Sequence, residues 1–191
     1  MQYMRHGKLA LAVIAGALVL TACGEGTGIV AQLPTVTDSY QVYALTGTPA
    51  SFPSGINTYV RSAVRVDGNA NFDVAFDLNS AGKVLIYPVQ KVVSTISGNR
   101  QVGMQKMTTN VAIAPTGSYL DSTIVAAPGD VIVLQALRNG TNDACQFDIS
   151  PYIYTKLIID SVSVPTRSIF VGATLDPNCG FRSFEAGLPT K

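Results

Sequence analysis

Apolar and polar residues alternate with a period of two in segment after segment of this chain, and turn-forming residues separate the segments. The clearest case runs from Phe72 to Leu78. Phe72, Val74, Phe76 and Leu78 share one side, and Asp73, Ala75 and Asp77 the other, as on a strand whose side chains point alternately to its two faces. Shorter or longer runs of the same kind span Ser39–Leu45, Thr58–Val66, Lys83–Val93, Gln101–Met107 and Tyr119–Ala126. Val131–Leu137 is continuously apolar except for Gln135, the pattern of a strand covered on both faces. Tyr152–Val164 and Ser168–Leu175 form a last pair across Pro165-Thr166-Arg167. Asp67-Gly68-Asn69, Asn79-Ser80-Ala81-Gly82, Ser97-Gly98-Asn99 and Pro128-Gly129-Asp130 are turn signals between runs, and Pro88 marks an edge position or a bulge. About nine strands at this spacing, with short connections and no amphipathic helix beyond residue 22, predict an all-β antiparallel sandwich, Ig-like or jelly-roll. A small closed barrel is the alternative, because alternation alone does not separate the two.

The first 23 residues follow a different pattern. Arg5, His6 and Lys8 make a positive start, Leu9–Leu20 is free of charge, and small residues lead to Cys23. The apolar stretch is too short for a bilayer span of roughly 20 residues and has the layout of a secretory signal. Leu20-Thr21-Ala22-Cys23 resembles the lipobox of bacterial lipoproteins. That resemblance implies removal of residues 1–22, a diacylglycerol thioether on Cys23 and acylation of the new N-terminus. It also implies that Gly24, standing where an Asp favours retention at the inner membrane, sends the protein to the outer membrane of a two-membrane organism. The domains expected are therefore the signal 1–22, a lipidated Cys23 with a Gly- and Pro-containing tether to residue 37, and one sandwich domain over 38–191.

Composition narrows the chemistry. Thirteen Lys and Arg stand against twelve Asp and Glu, and losing Arg5 and Lys8 leaves the acids one ahead, so there is no basic footprint for nucleic acid. The single histidine, His6, falls in the signal. Histidine-based triads and imidazole zinc or copper sites are thereby excluded from the processed chain. No phosphate-binding or nucleophile-elbow motif occurs, and no cofactor is expected. Cys145 and Cys179 are an even pair in a chain with an export signal, which predicts a disulfide. Both lie in turn-like segments flanking the Tyr152–Leu175 hairpin, so the hairpin brings them to the same end.

Four weaker features complete the inventory. Asp67, Asn69, Asn71 and Asp73 have the spacing of half a calcium loop, but Phe72 and Leu78 occupy the places where such a loop needs Gly and an acid, and a polar turn explains the same residues. Asp73 and Asp77 share a strand face, yet four residues separate them by about 13 Å, beyond the roughly 5–9.5 Å of a glycosidase pair, and they read as solvated face residues. Tyr152, Tyr154 and Lys156 fall on one strand face, either as a surface for a glycan or protein partner or as a half-buried strand with its hydroxyls in water. Phe181-Arg182-Ser183-Phe184 is expected to close an open end of the sandwich. The functional expectation is a lipid-anchored, non-catalytic binding or structural module of the cell envelope. Its alternatives are a hydrolase working with carboxylates alone, or a small barrel carrying an apolar ligand.

Overall fold

The computed structural model describes residues 30–67, 70–95, 100–148 and 150–189; Cys23 and the lipobox lie outside them, as does Asn69. Ten strands form: β1 (Val36–Tyr43), β2 (Gly55–Asn57), β3 (Ser62–Val64), β4 (Val74–Leu78), β5 (Val84–Pro88), β6 (Val102–Met107), β7 (Ile124–Ala126), β8 (Val131–Leu137), β9 (Tyr152–Ser163) and β10 (Ser168–Asp176). One helical turn, α1 (Val89–Val92), follows β5. The strands make two antiparallel sheets of five, in the orders β1-β10-β9-β8-β6 and β3-β2-β4-β5-β7. They are not closed into a barrel, which sets that alternative aside in favour of the sandwich.

The interior follows from the alternation. Phe72, Val74, Phe76, Val84 and Ile86 from one sheet meet Val102, Met104, Ile132, Leu134, Leu157, Ile159, Ile169 and Val171 from the other, all essentially without solvent exposure. The predicted two-sided burial of β8 is observed. Ile132, Leu134 and Ala136 enter this core, while Val133 points outward into a second cluster with Ala114, Tyr154 and Phe184.

Several boundaries differ from expectation, each for a local reason. Thr58–Val66 is not one strand. Asn57 ends β2 by accepting the Val60 amide on its side-chain oxygen (3.0 Å), Arg61 takes a positive φ of 60°, and the chain reverses into β3. That is an Asn-nucleated turn without the Gly that usually signals one. Lys83–Val93 breaks at Pro88, which lacks the N–H to extend the ladder, and Tyr119–Ala126 keeps only the three residues of β7. At the start, Ala31 is buried and Asn178 Oδ1 accepts the amides of Gln32 and Leu33 at 2.9 and 3.0 Å. The folded body thus reaches back beyond the expected start near Asp38.

The Phe181–Phe184 segment does not close an end of the sandwich. Phe184 N donates to Ala112 O (2.7 Å) and Ala114 N to Arg182 O (2.8 Å). The two short strips therefore lie together over the outer face of β8 and β9. The turn that leads there needs Gly180: its φ is 82°, and a Cβ would stand 2.6 Å from that of Ser150.

Candidate functional site

A polar cleft of about 600 Å³ opens between the β2–β3 turn, the segment before β4, Arg100 and the loop after β8. Its walls carry Asn57, Tyr59, Asn71, Thr141, Asn142 and Asp143, and Arg100 and Arg138 line it as well. That volume lies within the range of small-molecule sites.

Each wall is held for a visible reason. Arg138 follows β8 and stays fixed because its N–H donates to Pro151 O while its carbonyl accepts from Cys145 N, both at 2.7 Å. The loop between them turns at Asn142, with φ of 63°, and its amide donates to Gln146 Oε1 (2.7 Å). The Cys145–Cys179 disulfide, with Cα atoms 5.8 Å apart, ties this loop to the chain beyond β10, as the sequence predicts. Opposite, Asn57 Nδ2 donates to Asn71 Oδ1 (3.0 Å), joining the turn to the segment before β4.

Asp73 is the hub beneath the cleft. It is not a solvated face residue: only 2% of it is exposed. One oxygen accepts Thr58 N and Thr58 Oγ1, both at 2.7 Å; the other meets Arg138 Nη2 directly and has Arg100 Nη2 at 3.8 Å. Two guanidinium groups therefore share one carboxylate, and Arg138 lies 5.8 Å from the Tyr59 ring centre. Arg138 Nε and Arg100 Nη2 are buried without a hydrogen-bond partner among the described residues. The two guanidinium charges are offset by Asp73 beneath them and by the wall carboxylate of Asp143, whose Oδ1 accepts Ala144 N (2.9 Å). Such a set offers planar donors and acceptors plus one aromatic face, suited to hydroxyl-rich ligands.

Asp77 is likewise buried, against expectation, at the far end of β4. It accepts from Thr46 Oγ1 (2.9 Å), Leu78 N (2.8 Å) and Arg167 Nη2 (3.1 Å), clamping the β1–β2 loop to the β9–β10 turn. The two aspartates serve opposite ends of the fold and face no common substrate position.

The Tyr152–Tyr154–Lys156 face is covered at Tyr154 and Lys156, so it is not an open partner surface, and the Tyr154 hydroxyl of the half-buried-strand alternative meets Gln135 rather than water. Tyr154 and Lys156 are buried beneath residues 111–119 and Phe184. Tyr154 Oη accepts from Gln135 Nε2 (2.9 Å); Lys156 Nζ donates to Val111 O (3.0 Å) and lies 5.4 Å from the Phe184 ring centre. Burial lowers the Lys156 pKa and raises that of neighbouring Tyr119. Only Tyr152 reaches a groove, a small one shared with Gln90, Gln101 and Gln135.

Of the calcium-loop residues, Asn71 faces Asn57 and Asp73 faces the arginines, while Asn69 lies outside the described residues. Among the described residues, Cys145, Asp148 and Cys179 lie at metal-ligating distances, but both sulfurs are committed to the disulfide.

The cleft was missed in the sequence because its walls come from four separate segments. The sequence signals near it are Asn71 and Asp73, which the spacing groups with a turn, and Arg138, a cation closing an apolar run just before Asn139-Gly140. Comparison with family models, curated proteins and solved structures finds no match for this chain. The site is therefore interpreted from its own geometry.

Proposed function

We propose that this protein is a lipid-anchored, non-catalytic binding module of the cell envelope, and that the cleft above Asp73 binds a glycan. The observation that carries the ligand class is the composition of the cleft: amide, hydroxyl, guanidinium and carboxylate groups around the half-exposed ring of Tyr59. Sugars are recognised by that combination, with planar side chains pairing to adjacent hydroxyls and an aromatic face against C–H groups. The carboxylates of the region support binding rather than acid–base work. Asp73 is held by Thr58 and Arg138, and Asp143 by a backbone amide.

Tyr59→Ala and Arg100→Ala each remove a cleft contact while leaving the Asp73–Arg138 pair in place. Each is expected to weaken binding of an envelope polysaccharide or peptidoglycan fragment at least about tenfold, equivalent to about 1.4 kcal/mol. Calorimetric titration of the purified protein checks this. Affinity unchanged in both variants, or no binding across a panel of such glycans, would overturn the ligand assignment.

The anchor reading rests on Leu20-Thr21-Ala22-Cys23. Cys23→Ser is expected to abolish metabolic labelling by fatty acid and leave the precursor uncleaved. Labelling that persists in the variant removes Cys23 as the attachment site.

A further inference from the structure

The end of the sandwich at which the chain enters also carries the most exposed aromatic side chain among the described residues. Gln32 and Leu33 are held by Asn178, the neighbour of Cys179. Cys179 is bonded to Cys145, and Phe147 stands two residues further along that loop, within about 7 Å of chain. Its side chain packs on almost nothing: Phe147 is 92% exposed. Leu33 and Leu188 are exposed as well, and Leu188 follows Gly187, whose carbonyl accepts the Thr35 amide at 2.9 Å. Phe147, Leu33 and Leu188 are thus exposed apolar side chains on segments tied to the end where the chain enters the fold.

Few residues separate Cys23 from Ala31, the first buried one among the described residues. Eight peptide steps separate Cys23 from Ala31, a reach of at most about 28 Å when fully extended. By contrast, the twelve residues of β9 extend about 40 Å from this end toward the β9–β10 turn. A body held at Cys23 keeps this end near the bilayer, and the reach is shorter than the sandwich is long.

We propose that Phe147, with Leu33 and Leu188 exposed at the same end, inserts into the headgroup–acyl boundary of the bilayer holding the Cys23 lipid, and so stands the sandwich end-on; this rests on the anchor reading above. A lone phenyl ring does not retain a protein on a membrane. Acyl chains supply the retention, and a second, apolar contact fixes orientation. Asp148 and Glu185 nearby are exposed acids, so attraction to anionic headgroups plays no part and the contact is apolar. The glycan cleft shares the 138–148 loop with Phe147, so its mouth comes to lie near headgroup level.

The chain contains no tryptophan, so one introduced indole reports its own position. Phe147→Trp places it at the proposed contact. Val164→Trp places it at the opposite end, in the β9–β10 turn, at a residue 54% exposed. Each full-length protein, processed in cells and purified in detergent, is reconstituted into phosphatidylethanolamine–phosphatidylglycerol vesicles containing brominated acyl chains, and the mass at Cys23 is recorded. The expected result is a shift to shorter wavelength and loss of most emission for Trp at 147, with emission at 164 unchanged. Neither site quenched, in protein that carries acyl chains and floats with the vesicles, overturns the Phe147 contact while the anchor stands. Equal quenching at both overturns the end-on orientation. Absence of acyl mass at Cys23 overturns the anchor reading, and this proposal with it.

Discussion

Replacing Asp73 by alanine is expected to destabilise the folded protein by about 3–5 kcal/mol, the cost of removing one partner from a buried ion pair. Arg138 loses its counter-charge in a setting where its side chain is only 5% exposed, and Arg100 loses its nearest carboxylate as well. The Thr58 amide and hydroxyl lose their common acceptor at the same time. Urea unfolding with the disulfide intact measures the effect. Arg138→Met in the Asp73→Ala background should recover a large part of the loss, because the uncompensated cation is then gone. Asp77→Ala is the useful contrast. Its partner Arg167 is 28% exposed and can turn to water, so the loss should be smaller, on the order of 2 kcal/mol. Equal losses at the two aspartates would mean that the Arg138 end is more hydrated than its burial indicates.

The second large effect is expected from Cys145→Ala/Cys179→Ala. The bond joins residues 34 apart. Opening a loop of that length returns conformational entropy to the unfolded chain worth about 4 kcal/mol in the chain-entropy model. That is a large part of the 5–15 kcal/mol by which domains are typically stable. The variant should show a lower denaturation midpoint. It should also lose more of the proposed glycan affinity than stability explains, because the 138–148 wall of the cleft is then held only by its own hydrogen bonds. A midpoint within error of the parent would assign the loop's order to packing of Cys145 with Ile153 and Leu175 alone.

The parts of the fold legible in the sequence are those where a side chain's environment follows from its own strand. The inward face of β4 lies where alternation puts it, the two-sided burial of β8 is that of its continuous apolar run, and the disulfide followed from hairpin geometry. Asp73 and Asp77 show the limit. Alternation correctly separated them from Phe72, Val74 and Phe76, but it says which face a residue takes and not what covers that face. The cover comes from distant segments: Arg138 with Thr58 over one aspartate, Arg167 with Thr46 over the other. Tyr154 and Lys156 were misplaced for the same reason, since residues 111–119 and Phe184 lie over their face. The cleft is a juxtaposition of loops, and no spacing along the chain encodes it.

β1 hydrogen-bonds along its whole length to β10, from Val36 opposite Leu175 to Tyr43 opposite Ser168. The first strand of the fold therefore waits for the last. Until residue 176 is available, one edge of the five-stranded sheet has no partner, and the 178–184 segment that covers β8 and β9 is missing too. Pairing over so long an interval carries a loop-closure cost that slows folding relative to local hairpins. A growing chain of this topology can pair β2 to β5 and β7 among themselves, but the sheet that β1 edges is completed only when the last strand has emerged.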